Sequence, residues 1–301
     1  MREFEFIEWI RRQEVVSPGV VVGPGDDCAV LRVGKETLLV TTDQVLDGVH
    51  ASLAEHGAEA VGRKAAARAV SDIAAMAGEP VAMVASVAAP AGLSAADAQG
   101  LYRGLRAVDC PLVGGDLAAW REEAGRLQMT VTVLGRAGGI APVLRSGARP
   151  GDAICVTGSL GGAWRGSRHL TFTPRVAEAR LLARAYNLHA MIDISDGLAA
   201  DLGHIVADSA VAAEVVAEDV PVHPDAAGVE DPLAAALFDG EDYELLFTLP
   251  AGQADRLIAE QPLGVPVTRI GTVRAGEGMA LVRGGKAETL APRGWEHGTR
   301  E

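Results

Sequence analysis

The sequence predicts a mixed α/β (α+β) fold arranged as two domains. Its 301 residues suit one large domain or two of about 150 residues each. Short apolar runs typical of strands alternate with helical segments in both halves, which favours two layered domains of this class. Between the halves, residues 138–151 contain four glycines and two prolines, a composition typical of a linker. We therefore expect domains at residues 1–137 and 151–301, joined by residues 138–150.

In the first half, residues 1–12 have apolar side chains near helical spacing and predict an amphipathic helix. An Ala-rich stretch ending at Gly78 predicts a long helix, and Ser94 is a typical N-cap for the next one. Apolar runs bounded by turn residues predict strands. In order, the elements are strands 20–22, 28–33 and 37–42, helix 58–77, strand 81–88, a helix from Ser94 through Val108, and strands 112–113 and 128–135.

The second half repeats this alternation of strands and helices. A Gly284-Gly285 turn between two apolar runs predicts a hairpin over residues 279–290. The other predicted elements are strand 153–157, helix 175–187, strand 191–194, helix 198–207, and strands 211–216, 243–248 and 266–273.

Charge and cysteine content narrow the function classes. The formal net charge of −13 argues against a nucleic-acid partner, which requires a basic surface. An anionic small substrate remains possible if divalent cations lie between it and the protein. The cysteines at 28, 110 and 155 lack paired spacing and are interpreted as free thiols in a reducing compartment. No apolar run approaches the roughly 20 residues of a membrane span, so we expect a cytoplasmic protein without membrane contact.

A recurring pattern carries the candidate chemistry: apolar strands that end in an aspartate within a turn rich in glycine or threonine. Any one of these aspartates is explained as a turn or helix cap. Several of them, brought from separate strand ends into one pocket, instead predict a Mg²⁺ site, because like charges repel without a cation between them. The residues of this pattern are Asp26, Asp27, Asp43, Asp116, Asp193 and Asp196, with Asp72 inside the Ala-rich helix. An ion pair with Arg68, four residues earlier, is the alternative explanation for Asp72.

Three further residues have both an ordinary and a functional interpretation. His50 is either a common core or surface histidine or a substrate contact beside the aspartates. Arg145 is either solvated in the linker or paired with a phosphate. Trp295 either packs as a tail residue or stacks on a planar cationic ring. The sequence contains no Lys-bearing phosphate loop and no protein-kinase signature, so a nucleotide would be bound through metals and glycine turns.

Taken in order, the short motifs of this chain resemble those of the thiamine-monophosphate kinase family. That family belongs to the superfamily of aminoimidazole ribonucleotide synthetase and selenophosphate synthetase. The most specific motifs are Ser71-Asp72-Ile73-Ala74-Ala75-Met76 and Gly240-Glu241-Asp242-Tyr243-Glu244-Leu245. The remaining motifs occupy residues 25–29, 41–43, 47–50, 114–116, 145–152, 192–198 and 201–205.

The resemblance implies two α/β domains, with the N-terminal domains of a homodimer paired into a barrel, and ATP with several Mg²⁺ ions in a cleft. It implies ATP-dependent conversion of thiamine monophosphate to thiamine diphosphate. The implied metal ligands are Asp27, Thr41, Thr42, Asp43, Asp72, Asp116, Asp193 and Asp196, of which Asp43, Asp72, Asp193 and Asp196 are the expected catalytic residues. The implied ATP contacts are Tyr102, Gly115, Asp116, Arg145 and Ser195, and the implied substrate contacts are His50, Glu241 and Trp295.

The chain departs from the family pattern at a few positions. Ala69, Ala51, Leu117 and Gly298 stand where the family usually has Asn, Phe, Thr and Phe, and residues 162–173 lack a helix found in relatives. Two alternatives therefore stay open. One is another ATP-using enzyme of the superfamily, and the other is a non-catalytic protein that binds nucleotides or thiamine phosphates.

Overall fold

The computed structural model describes residues 3–13, 17–122 and 124–295. Apolar runs bounded by turns form its strands, and amphipathic or Ala-rich stretches form its helices. The first half contains α1 (Glu3–Arg11), β1 (Val20–Val22), β2 (Ala29–Val33), β3 (Glu36–Leu46), α2 (Leu53–His56), α3 (Ala58–Ala75), β4 (Glu79–Ala89), α4 (Ala95–Leu105), β5 (Leu112–Ala119) and β6 (Gln128–Arg136). The second half contains β7 (Asp152–Thr157), α5 (Val176–Ala185), β8 (Ala190–Asp193), α6 (Leu198–Ser209), β9 (Ala212–Val216), α7 (Pro232–Phe238), β10 (Leu245–Pro250), α8 (Ala251–Glu260), β11 (Val267–Arg274), β12 (Gly278–Arg283) and β13 (Lys286–Thr289).

Each half of the chain forms its own sheet. The first sheet has the order β1-β2-β3-β6-β4-β5, and the second has the order β13-β12-β9-β11-β7-β10-β8. Pairing is antiparallel except between β4 and β5 and between β12 and β9. The parallel β4–β5 pair is joined by a crossover that contains α4, because two parallel neighbours cannot be linked by a tight turn. The predicted α/β fold is thus confirmed, with one sheet per half.

Helix α3 lies between the two sheets and positions the site. It packs on β3 and β6 of the first sheet and also contacts β8 and α5 of the second half. Its Ala-rich sequence lets neighbouring backbones come close. A side chain at Gly62 would overlap the carbonyl oxygen of Leu101, and one at Gly104 of α4 would overlap that of Glu59. These glycines therefore allow α4 to press directly against α3, which fixes its place over the sheet.

The structure corrects several predicted boundaries. Two of the aspartates expected at strand ends lie inside strands: Asp43 in the eleven-residue β3 and Asp116 in the eight-residue β5. Asp193 does end its strand, and Ser94 does cap α4 by accepting a hydrogen bond from the backbone N–H of Asp97. Residues 138–150 form no helix or strand. The division into domains at 137 and 151 stays a prediction, and Gly298 lies outside the described residues. No helix in the described part of the chain is long and apolar enough to cross a membrane.

Candidate active site

A stripe of charged residues runs along one face of α3. Lys64, Arg68 and Asp72 follow one another at intervals of four residues, so their side chains lie on the same side of the helix. The facing strand β3 contributes Thr41 and Asp43, which share a face because side chains alternate along a strand. The candidate site is built where this stripe meets β3 and the end of β8.

Asp72 lies at the C-terminal end of the stripe. The Thr41 hydroxyl donates a 2.5 Å hydrogen bond to its Oδ2. Burial, reinforced by the negative charges of Asp193 and Asp43, raises the pKa of Asp72 well above its usual value. The neutral form of this carboxyl group is therefore favoured until a cation compensates its charge.

Asp193 approaches Asp72 from the second sheet. It is the last residue of β8, and the Ser71 hydroxyl of α3 donates a 2.5 Å hydrogen bond to its Oδ2. Burial and the neighbouring charge of Asp27 raise the pKa of Asp193 to about 7. The Ser71 contact joins the two halves of the chain at the centre of the site.

Asp27, in the turn before β2, completes the carboxylate cluster. One oxygen each from Asp27, Asp72 and Asp193 lie within 4.8 Å of one another. Arg145 donates a 2.6 Å hydrogen bond to Asp27 Oδ1, while the other oxygen of Asp27 is buried without a hydrogen-bond partner. Beside it, burial and the charge of Asp27 raise the pKa of Asp26 to about 6. Three converging carboxylates, one with an unpaired buried oxygen, fit a hard divalent cation such as Mg²⁺.

Asp43 lies at the edge of this cluster and is paired with Arg68. Arg68 Nε lies 2.7 Å from Asp43 Oδ2, and its terminal nitrogen donates a 3.0 Å hydrogen bond to Oδ1. This forked pair orients both side chains. Arg68 therefore pairs with Asp43 of β3 and not with Asp72. The alternative explanation of Asp72, an ion pair with Arg68, was wrong.

The loop after β8 carries Ser195 and Asp196. The backbone N–H groups of Ser195, Asp196 and Gly197 each donate a 3.1 Å hydrogen bond to the buried carboxyl Oδ2 of Asp201. Asp201 lies in the first turn of α6, where backbone N–H groups favour a carboxylate. This network fixes the Ser195–Asp196 loop at the mouth of the site.

Two cavities meet at this loop. The larger, of about 700 Å³, is lined by Arg145, Ser195, Asp196 and Trp295 together with residues of α1 and α6. The smaller, of about 370 Å³, is also lined by Ser195, Asp196 and Trp295. The molecule thus offers two adjoining binding spaces beside the carboxylate cluster.

The three residues expected to contact the substrate all line the smaller cavity. They are His50, Glu241 and Trp295, and Arg68 forms part of the same wall. Glu241 is placed by a left-handed backbone conformation (φ 62°) and by its N–H bond to the Ser195 carbonyl. Its carboxylate lies 2.6 Å from the ammonium of Lys64, which is fully buried and also donates to the His50 carbonyl.

Four expected site residues lie away from the carboxylate cluster in the structure. The Thr42 side chain is on the opposite face of β3 from Thr41 and pairs with Thr132. Asp116 is aligned with Gln44 across two intervening strands, three strand spacings or roughly 14 Å away. Asp116, Gly115 and Tyr102 instead line a separate, largely apolar cavity of about 360 Å³. Their predicted metal and ATP roles are not supported by proximity within one chain and stay predictions.

The sequence reasoning missed several residues that shape the site. Lys64, Ser71 and Trp164 were not singled out, although each contacts or lines it. A signal for Lys64 was available: three charged residues at four-residue spacing in a helix of alanines predict a buried polar stripe. No comparable signal identifies Trp164, which lies in an irregular loop.

Comparisons with known proteins agree with this architecture. Residues 25–137 match the model of the AIR synthase related protein N-terminal domain, and residues 149–284 match that of its C-terminal domain. The fold and the acidic site therefore define a protein of the AIR synthase related class.

Curated relatives narrow this class. The thiamine-monophosphate kinase of Rhodopirellula baltica is 37% identical over 98% of this chain and 97% of its own length. That of Bacillus subtilis is 33% identical, over 91% of this chain and 92% of its own. The solved structure of AaThiL complexed with AMPPCP and TMP superposes with a TM-score of 0.82 at 30% identity, covering 98% of this chain and 97% of the other. The chain belongs to the thiamine-monophosphate kinase family.

Proposed function

We propose that this protein transfers the γ-phosphoryl group of ATP to the phosphate of thiamine monophosphate, giving thiamine diphosphate and ADP. The observation that carries the proposal is the pair of adjoining cavities, which share Ser195, Asp196 and Trp295 beside the carboxylate cluster. The similar protein AaThiL is described in complex with AMPPCP, an analogue of ATP, and TMP. We place the nucleotide in the larger space and the thiamine phosphate in the smaller.

The reaction needs positioning more than proton transfer. An oxygen of the acceptor phosphate is already ionised, so it forms the new P–O bond while the bond between the β- and γ-phosphates of ATP breaks, and no strong general base is required. The main obstacle is the repulsion between two anions. Asp27, Asp72 and Asp193 would hold a Mg²⁺ ion, which would supply the charge neutralisation that this approach requires.

The protein's own side chains prepare the site for both ligands. Arg145, which is 2.6 Å from Asp27, lines the larger cavity and can exchange this carboxylate for a nucleotide phosphate. Arg68 fixes Asp43 beside the cluster. Glu241 and Trp295 supply a carboxylate and an aromatic face, a combination that suits a cationic thiazolium ring.

We also propose that the protein acts as a cytoplasmic homodimer. Strand β5 is at the edge of the first sheet, and its Val113 and Leu117 are 66% and 64% exposed. An exposed apolar edge strand favours pairing with a second chain. Such pairing would also give Asp116 and Tyr102, which lie outside the cluster of their own chain, a place in a complete site. The three buried cysteines, all unpaired, agree with a reducing compartment.

A coupled assay of ADP release tests the function. With ATP, MgCl₂ and thiamine monophosphate, we expect ADP and thiamine diphosphate in equal amounts. Without thiamine monophosphate, we expect no release of ADP. Formylglycinamidine ribonucleotide serves as the competing substrate, because it represents the other ATP-using enzymes of the superfamily. Turnover with that compound alone would overturn the assignment. Tight binding of ATP and thiamine monophosphate by calorimetry without ADP release would instead favour a non-catalytic protein.

A further inference from the structure

The smaller cavity has a second aromatic wall that the family resemblance did not indicate. Trp164 lines this cavity together with Trp295, His50 and Glu241. It lies in the segment 161–169, here called the Trp164 loop, which overlaps the residues 162–173 where the sequence predicts the absence of a helix found in relatives. Trp164 is 48% exposed, so much of the indole remains available to a ligand.

One face of the indole is covered from inside the protein. The buried ring of His169 stacks on Trp164 with 4.3 Å between the ring centres and 19° between their planes. The Lys64 ammonium lies 5.1 Å from the centre of the indole and 2.8 Å from His169 Nδ1. Lys64 and His169 must therefore lie on the same side of the indole, because a cation on the opposite face would be far beyond hydrogen-bond distance of that nitrogen. The other face is directed away from this buried pair.

The Trp164 loop is held rigidly at both ends. The backbone N–H of Gly161 donates to the buried carboxylate of Asp242, and Arg168 donates to the same carboxylate and to the Gly161 carbonyl, each at 3.0 Å. The His169 N–H closes the loop by bonding the Ala163 carbonyl. A preorganised aromatic side chain of this kind loses little conformational entropy when a ligand stacks on it.

The charges around the cavity complement a cation. Asp196 and Asp239 line it, and the charges of two other wall residues are paired, Arg68 with Asp43 and Glu241 with Lys64. Burial and the nearby Lys64 lower the pKa of His169 to about 3, so this ring places no second positive charge behind the indole. An electron-rich indole face in an acidic cavity attracts planar cations.

We propose that Trp164 contacts the substrate directly, as an aromatic wall that selects the cationic thiazolium ring of thiamine phosphates. This inference rests on the proposed function and adds a specificity-determining residue to it. Together with Trp295, Trp164 gives the cavity two indole surfaces, while Lys64 and His169 position the Trp164 ring from behind.

The test compares Trp164→Leu, Trp164→Phe and the matched control Trp9→Leu, which removes a 53% exposed tryptophan from α1 that does not line the cavity. Calorimetry measures the Kd for thiamine monophosphate, and the coupled assay measures KM for each substrate. The second probe is the monophosphate in which neutral thiophene replaces the thiazolium ring.

We expect Trp164→Leu to raise Kd and KM for thiamine monophosphate about tenfold, with kcat and KM for ATP within about twofold of wild type. Trp164→Phe should retain most of the affinity, and Trp9→Leu all of it. The preference of wild type for the charged ring over the thiophene analogue should shrink in Trp164→Leu. A merely structural role would leave that preference intact.

Three results would overturn the inference: an unchanged KM for thiamine monophosphate in Trp164→Leu, a parallel rise in KM for both substrates, or an unchanged preference for the charged ring. Failure of the proposed function is recognised separately, because wild type would then neither bind thiamine monophosphate nor release ADP with it. If Trp164→Leu melts far below wild type, Trp164→Phe is compared with wild type instead. Its preference for the charged ring should be smaller than that of wild type, because a phenyl face attracts cations more weakly than an indole face, and an unchanged preference overturns the inference.

Discussion

Replacing Asp193 by Asn isolates the contribution of one carboxylate to cation binding. Oxygens of Asp27, Asp72 and Asp193 lie within 4.8 Å, and two ionised carboxylates at that separation repel by about 3.5 kcal/mol at an effective dielectric constant near 20. Asparagine removes the charge but still accepts the hydrogen bond from Ser71. We therefore expect Asp193→Asn to fold normally without metal and to lose most of its stabilisation by Mg²⁺.

The size of the effect follows from linkage. A ligand at 100 times its Kd stabilises the folded state by about 2.7 kcal/mol, which corresponds to about 4 °C in melting temperature for a protein of this size. The pKa of Asp193 is raised to about 7, and only its ionised form attracts Mg²⁺. Each pH unit below 7 should therefore weaken Mg²⁺ binding about tenfold, so the shift is larger at pH 8 than at pH 6.

The metal-free protein should show the opposite dependence on pH. Between about pH 4 and pH 7 the folded protein holds a proton on Asp193 that the unfolded chain has released, because the folded pKa is raised. Its stability from this group is thus present at low pH and is lost as the pH rises through that window. Asp193→Asn should lack this part of the dependence.

Melting curves with EDTA and with MgCl₂ at pH 6, 7 and 8 measure both effects. Asp152→Asn is the matched control, because Asp152 is a buried aspartate of the second sheet that bonds His189 and the Arg149 backbone away from the cluster. The reasoning is refuted if Asp193→Asn retains the full Mg²⁺ shift, or if the wild-type shift is the same at pH 6 and pH 8.

Two further predictions concern packing and burial. Gly115→Ala should lower the free energy of unfolding in urea by about 1–3 kcal/mol, because its methyl group would overlap the Ala85 carbonyl. Gly114→Ala has only a distant contact and should be tolerated, and equal effects of the two substitutions would contradict the pairing of β5 with β4. Burial lowers the pKa of Lys64 from 10.5 to about 8, despite the Glu241 partner. The unfolded chain therefore binds this proton more tightly than the folded protein does. The free energy of unfolding should rise by up to about 3 kcal/mol between pH 8 and pH 10.5, as the unfolded chain loses the proton. Lys64→Met should lack that rise, whereas an identical pH dependence in both proteins would show that Lys64 is not the group involved.

The sequence predicted the convergence of aspartates better than it predicted where each one lies. Asp27, Asp72 and Asp193 do converge. Each of them could be identified from the local sequence of its own segment. Asp43 and Asp116 were expected at strand ends, but their strands continue through them. Local composition favoured a turn at Gly114-Gly115-Asp116, whereas pairing with β4 keeps that segment extended, and such pairing is not visible in one strand alone.

The partners of the charged residues were harder to predict. Spacing along α3 suggested an Arg68–Asp72 pair, yet Arg68 pairs with Asp43 on β3 and Asp72 with Thr41. Both contacts depend on how a helix and a strand are placed against each other, which the helical period does not determine. Trp164 illustrates the same limit, because an irregular loop carries no periodic signal. The hydrogen bond that anchors this loop joins Arg168 to Asp242, which lies 74 residues further along the chain.

The continuous helix α3 sets the separation between the two ends of the substrate. Lys64 lies behind the aromatic cavity and Asp72 in the carboxylate cluster, eight residues or about 12 Å apart along the axis. A ligand must match this length to place its ring at one end and its phosphate at the other. Because one inserted residue would turn Asp72 by about 100° away from its neighbours, the segment 64–72 should tolerate substitutions but no change of length. Surface loops elsewhere in the chain are free of that restriction.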